Sequence, residues 1–189
     1  MKNNHCFITV LHYPALNKEG KWIVTSFTTL DFHDIARPAR TYELGAYYIV
    51  QPLEAQQFII KEQKKYWTEG FGKNFNPRRY EAAKIVELKS SLQEVIEDIK
   101  KKTGKEPKLV ATSAKRYPQT VSFRELKQKI DKKEDVFLII LGTGWGLPPE
   151  IVEDCDYILE PILGAGDYNH LSVRNAAAII MDRLFSPNR

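Results

Sequence analysis

The chain's 189 residues, 43% apolar and 28% charged, suffice for one domain (1–189) with a buried core and exclude general disorder. No apolar run is longer than Val136 to Leu141, far below the roughly 20 residues of a membrane helix. Met1 to Leu16 lacks a secretory pattern, and Cys6 and Cys155 are too few for a disulfide framework or a zinc site, which leaves the cytoplasm as the expected compartment.

The net charge of +4 is unevenly spread: residues 61–133 carry twenty basic and ten acidic side chains, and residues 134–189 carry three and nine. A basic middle beside an acidic end suits a polyanionic partner. The cluster Lys100, Lys101, Lys102 and Lys105 by itself reads as a solvated helix end.

In chain order, Cys6 to Pro14 reads as a strand, and WIVTSFTTL as a second extended segment. A helix opens at Asp31 or His33 and runs through Tyr42, with Ile35, Ala36 and Ala39 on its apolar face and Pro38 as an internal irregularity. Ala46 to Val50 is a buried strand, and Leu53 to Trp67 a long amphipathic helix. Thr68 to Arg79 reads as a loop that interleaves Phe71 and Phe75 with Lys73, Arg78 and Arg79, a pattern suited to single-stranded RNA or to a loop packing its own aromatics. KIVEL is a strand, Ser91 caps a helix to Lys102, and Lys108 to Ser113 is a strand. Ser122 caps a helix through Ile130, and VFLIIL feeds the first of two glycine-rich loops. Pro148 and Pro149 open a short helix, DYILEP is the last strand, and Ser172 to Leu184 the last helix. Strands alternating with helices, several continuously apolar, predict a mostly parallel sheet covered on both faces.

Two glycine loops leave strands at their C-terminal ends, LGTGWGLP (Leu141 to Pro148) and LEPILGAGDYNHLS (Leu159 to Ser172). That edge of an open α/β sheet is where ligands bind, because glycine backbone allows close approach. Three blocks, DFHDIARPARTYELGAYYIV (Asp31 to Val50), LGTGWGLPPEI (Leu141 to Ile151) and LEPILGAGDYNHLSVRNAAAII (Leu159 to Ile180), resemble in order and spacing the three motifs of the SpoU family. The chain is similar to SPOUT-superfamily RNA methyltransferases, in the bacterial branch that also occurs fused to a tRNA guanine methyltransferase.

The resemblance implies a C-terminal trefoil knot, S-adenosylmethionine as cofactor, tRNA or rRNA as partner, and a homodimer formed through the knot region, with no membrane association. By the same resemblance Arg37 falls on the arginine near the transferred methyl. Gly142, Thr143, Gly144 and Gly146 fall on the first knot loop, Glu160, Pro161 and Ile162 on the second, and Leu171 and Ser172 at the last helix. Asp31 and Ser172 stand where SpoU members carry asparagine, so base and ribose methylation are both open.

Physically, methyl transfer asks for placement more than for a powerful side chain. Leu141, Ile158, Ile162 and Leu171 suit the faces of adenine, and Glu160 or Asp167 a sulfonium, unless these carboxylates cap amides or pair with Arg174. Arg37 suits a phosphate or a developing oxyanion, or else an ion pair with Asp34; His33, Asn169 and His170 are the candidates for proton transfer. Trp145 stacks on a base or plugs the knot. Two other readings are a non-catalytic RNA-binding module and an unrelated nucleotide-binding enzyme; LGTGWGLP has no lysine to serve as a P-loop.

Overall fold

The computed structural model describes residues 3–187. Its strands are β1 (Asn3–Leu16), β2 (Trp22–Ile23), β3 (Leu44–Val50), β4 (Val86–Lys89), β5 (Lys108–Ala111), β6 (Thr120–Val121), β7 (Phe137–Gly144) and β8 (Tyr157–Leu159). Its helices are α1 (Thr29–Thr41), α2 (Glu54–Thr68), α3 (Phe71–Phe75), α4 (Pro77–Ala83), α5 (Leu92–Thr103), α6 (Phe123–Asp131), α7 (Pro149–Glu153) and α8 (Val173–Phe185). The sheet order is β4-β3-β1-β7-β5-β8-β6, parallel throughout, with β2 paired antiparallel to β1.

Strand alternation divides the core in two. Ile8, Val10, Tyr47, Ile49, Ile139 and Leu141 pack beneath α1, α2, α4, α6 and α8. Phe7, Leu11, Tyr48, Val50, Leu138 and Ile140 pack beneath α5 and α7. Both faces are thus covered, which is why β1, β3 and β7 are continuously apolar.

Helix starts follow side-chain caps. The Oγ atoms of Ser91, Ser122 and Ser172 accept from the amides of Glu94, Glu125 and Asn175, opening α5, α6 and α8. The first helix begins earlier than its sequence suggests. Thr28 is its N-cap and Asp31 closes a capping box, so Asp31 lies inside the first turn. Only Trp22–Ile23 of the second extended segment pairs as a strand, and the short edge strand β6 was not anticipated.

The largest correction concerns residues 68–79, which hold the short helix α3 and the start of α4 in place of a loop. Gly72 has no room for a Cβ, which would meet Trp67 Cε3 at 2.7 Å and Tyr66 Cε1 at 2.8 Å. This close packing sets α3 against the end of α2. Asn76 then caps Arg79 N, with Pro77 at the first position of α4. Glycine and proline here serve packing and helix initiation.

After β8 the chain passes beside the segment following β5, where Asn169 Nδ2 donates to Ala114 O at 3.0 Å. It then returns α8 to α1. Arg174 on α8 donates to Asp31 Oδ1 at 3.0 Å and lies 3.6 Å from Asp34 Oδ2. The same Asp31 carboxylate accepts from the N–H and hydroxyl of Thr28, so a single acid caps α1 and ties it to α8.

Candidate cofactor pocket

The C-terminal ends of β7, β5 and β8 open onto a cavity of about 700 Å³. One wall is the turn from Leu141 to Leu147, which is bolted to β1 by its own backbone. Trp145 N donates to Leu16 O at 2.9 Å, Leu16 N to Gly146 O at 3.1 Å, and Gly146 N to Thr143 O at 3.0 Å. Gly144 and Gly146 have φ of +60° and +105°, conformations that side chains oppose. Gly142 is required by space: a Cβ there would stand 2.8 Å from Leu147 N.

Beneath this turn runs a hydroxyl chain. Thr143 Oγ1 donates to Leu11 O at 2.8 Å and lies 2.6 Å from Thr25 Oγ1, which lies 3.0 Å from His12 Nδ1. Each hydroxyl has one proton. With Thr143 donating to Leu11 O, Thr25 donates to Thr143 and accepts from His12, which fixes the Nδ1–H tautomer. His12 Nε2 is buried without a partner among the described residues, and burial holds this imidazole below the ordinary histidine range despite the opposing charge of Asp31. His12 is therefore a neutral post under the loop.

The other walls come from three segments. Glu160 and Ile162 follow β8, Thr112 to Lys115 and Tyr117 follow β5, and Asp167 to Ser172 lead into α8, whose Val173, Ala176 and Ile180 line the floor. Of the residues singled out from sequence, Leu141, Gly142, Thr143, Gly144, Gly146, Glu160, Ile162, Asn169, His170, Leu171 and Ser172 line the cavity.

Three do not. Ile158 faces the opposite core, packed with the α5 and α7 side, and its neighbour Leu159 lines the cavity instead. Adjacent strand residues point to opposite faces, so a one-residue error in register exchanges them. Pro161 is buried behind the wall. Arg37 is exposed on α1, outside its own chain's cavity, and Asp34 pairs with Arg174 rather than with it.

Several roles are also redistributed. The Glu160 carboxylate accepts from Phe123 N at 2.8 Å and so caps α6. That leaves Asp167 as the carboxylate at the cavity. Asn169 spends its amide N–H on Ala114 O; an amide carries no titrating proton, so this residue clasps two walls rather than moving protons. His170 lines the cavity edge-on to the Tyr168 ring, at 5.4 Å between centroids. His33 lies elsewhere, wedged between Phe32 and Trp67. Burial and the nearby Arg79 and Arg37 push its pKa down against the pull of Asp34. Trp145 is 65% exposed at the cavity rim and plugs nothing. Thr112 to Tyr117 were missed, because no local pattern reveals that β5 lies between β7 and β8.

A protein-family description, SAM-dependent RNA methyltransferase, matches residues 5–186. The chain belongs to this family. An uncharacterized protein of Aquifex aeolicus (strain VF5) is 57% identical to this RNA methyltransferase over 189 residues, all of this chain and 92% of that one. A tRNA (guanine-N(1)-)-methyltransferase of Oleidesulfovibrio alaskensis is 42% identical over 183 residues, 97% of this chain but only 42% of that protein. The chain thus spans less than half of that longer relative. Among solved structures, a probable methylase family protein from Haemophilus influenzae Rd KW20 superposes with a TM-score of 0.64 at 18% identity, covering 97% of this chain and 66% of that one. The TrmH/SpoU tRNA modifying enzyme of A. aeolicus gives 0.57 at 18%, over 96% and 74%. The fold is that of the SpoU-type SPOUT enzymes. The family reading supersedes both the non-catalytic module and the unrelated nucleotide enzyme.

S-adenosylmethionine is the methyl donor of the family, and the cavity suits it. The volume of about 700 Å³ falls in the range of small-molecule sites. Leu141, Leu159, Ile162 and Leu171 supply flat apolar surface, Lys115 a cation and Asp167 an anion for a zwitterionic, sulfonium-bearing molecule. Gly142 and Gly144 keep the backbone bare, since a Cβ on either would strike main-chain atoms within 2.8 Å.

Proposed function

We propose that this cavity binds S-adenosylmethionine and that the protein methylates a base or ribose of tRNA or rRNA in the cytoplasm, acting as a homodimer. The observation that carries the reading is the Leu141–Leu147 turn, held by β1 and kept free of side chains at Gly142 where it borders the cavity. The longer relative named as a tRNA methyltransferase favours tRNA. The fold shared with SpoU enzymes supports a C-terminal trefoil knot over one domain, with α8 drawn past the segment after β5.

The bound cofactor supplies an electrophilic methyl on a sulfonium. The chain's residues supply placement, which is worth on the order of 7–11 kcal/mol when two reactants are held in register. Leu141, Ile162 and Leu171 would hold the adenine faces, with backbone groups of the surrounding loops left to meet its edges. Asp167 would offer the sulfonium a counter-charge and Lys115 would hold a carboxylate. Ser172 caps α8, so that helix presents an ordered N-terminus to the cavity. His170 accepts the proton that the RNA nucleophile gives up.

Arg37 serves only if a second protomer presents it. It is exposed on α1, and α1 packs on α8, whose first turn lines the cavity. A symmetric contact through these helices carries each Arg37 toward the other site, where a guanidinium steadies a phosphate or oxyanion. Calorimetric titration with S-adenosylmethionine or its demethylated product tests the site. Saturable binding in the micromolar range is expected; no heat at millimolar ligand overturns the reading.

A further inference from the structure

Phe71 and Phe75, the first and last residues of α3, stack on each other with ring centroids 5.5 Å apart and planes 26° from parallel, yet they stay 68% and 70% exposed. They are not loose. Gly72 between them is pressed onto Tyr66 and Trp67, Asn76 N donates to Gly72 O at 2.9 Å, and Arg79 lies over the Trp67 ring at 5.0 Å. The segment therefore holds two aromatic rings rigidly in water, instead of folding them under.

Its charges point to what they meet. From Gly70 to Tyr80 the sequence contains Lys73, Arg78 and Arg79 and no carboxylate. Lys65 is exposed in the last turn of α2, where its carbonyl accepts from Gly70 N at 3.0 Å. Among the described residues, Lys65, Lys73 and Arg78 form no ion pair; Lys73 lies over the Tyr80 ring at 5.3 Å, Glu69 precedes the segment, and Glu81 and Glu87 pair with Arg40, Lys84, Lys64 and Lys102. Cations without acidic partners around exposed ring faces suit a polyanion with flat apolar groups, whereas a protein-docking face would be depleted of lysine.

We propose that the Phe71–Phe75 stack, with Lys65, Lys73 and Arg78, is a second RNA contact that takes unpaired bases of the substrate. The proposal rests on the RNA methyltransferase reading. The contact is remote from methyl transfer, because α2 leaves the cavity edge of β3 and carries the chain back to the start of β4. Its 15 residues span about 22 Å. The stack therefore acts on RNA affinity and on the choice of single-stranded over paired RNA.

The test is fluorescence anisotropy with a short labelled oligouridine and a blunt RNA duplex of equal length. Phe71→Ala and Phe75→Ala are each expected to weaken oligouridine roughly tenfold, within the range of base–aromatic stacking. Duplex affinity and S-adenosylhomocysteine binding are expected to hold, and in methyl transfer KM for RNA rises while kcat stays. Lys73→Gln, which leaves the rings alone, flattens the salt dependence. Unchanged oligouridine affinity in the double variant overturns the proposal, as does an equal loss for duplex. A shift from dimer to monomer on sedimentation also overturns it, making this face a contact with a second copy. Any of these with cofactor binding intact leaves the methyltransferase reading standing; absence of cofactor binding in the unaltered protein fails that reading instead.

Discussion

Replacing Gly142 with alanine places a methyl group 2.8 Å from Leu147 N, 3.0 Å from the Gly146 carbonyl carbon and 3.0 Å from Leu147 Cγ. Comfortable carbon contacts lie at about 3.5–4.0 Å. Two of the three atoms are backbone of the same turn, so no rotamer change relieves the overlap. The turn must open by roughly half an ångström, against the 3.1 Å bond from Leu16 N to Gly146 O. Overpacking of this kind costs about 1–3 kcal/mol. Expressed in binding, that is a loss of roughly 5- to 150-fold in cofactor affinity. Expressed in stability, it lowers the melting midpoint by about 2–4 °C per kcal/mol in a chain of this size. Gly166→Ala is the matched control, since its Cβ would meet nothing within 4 Å. Calorimetric titration with S-adenosylhomocysteine and thermal melts of both variants make the comparison. A Gly142→Ala protein that binds and melts like the unaltered one refutes the steric argument, and so does a Gly166→Ala protein that is damaged more.

Thr143→Val keeps the side chain's shape but removes the donor to Leu11 O and the acceptor for Thr25. Leaving those buried groups unpaired is expected to cost about 1–3 kcal/mol, read as a lower thermal midpoint. His12 is held below its ordinary range by burial, so the unfolded chain takes up a proton that the folded chain refuses. Stability should therefore be full above about pH 6.5 and fall as pH drops below it. Urea unfolding across that window checks the slope, and His12→Gln should reduce it, leaving the share of His33, whose pKa is lowered as well. Mixing Arg37→Ala with Gly142→Ala, at a cofactor concentration too low to fill the weakened Gly142→Ala site, tests the shared site. If Arg37 acts across the dimer, re-equilibrated mixtures recover activity, because half of the dimers carry one complete site. No recovery places the arginine in its own chain's site or outside the reaction.

The cavity's first wall was plain in the sequence because β7 is a buried parallel strand and its glycines are dictated by local geometry. The three serine caps were equally local. What stayed hidden depends on distant partners. Leu159 rather than Ile158 faces the cavity because of the register of β8 against β5 and β6, which a three-residue strand barely encodes. Thr112 to Tyr117 join the site only through the sheet order. Asn169 and Glu160 have the polarity expected of site residues, but their tertiary partners, Ala114 O and Phe123 N, turn them into fasteners. The helices of residues 70–83 were masked by Gly70, Gly72 and Pro77, residues that usually break helices and here initiate or pack them.

The central claim joins a cofactor cavity to RNA chemistry, and transfer of a tritiated methyl group from S-adenosylmethionine to RNA from cells lacking this protein tests both halves together. Label in purified RNA, greatly reduced for Gly142→Ala and retained for Gly166→Ala, is the predicted result. RNA that stays unlabelled with a dimer that binds the cofactor, or label that does not depend on Gly142, would contradict the account.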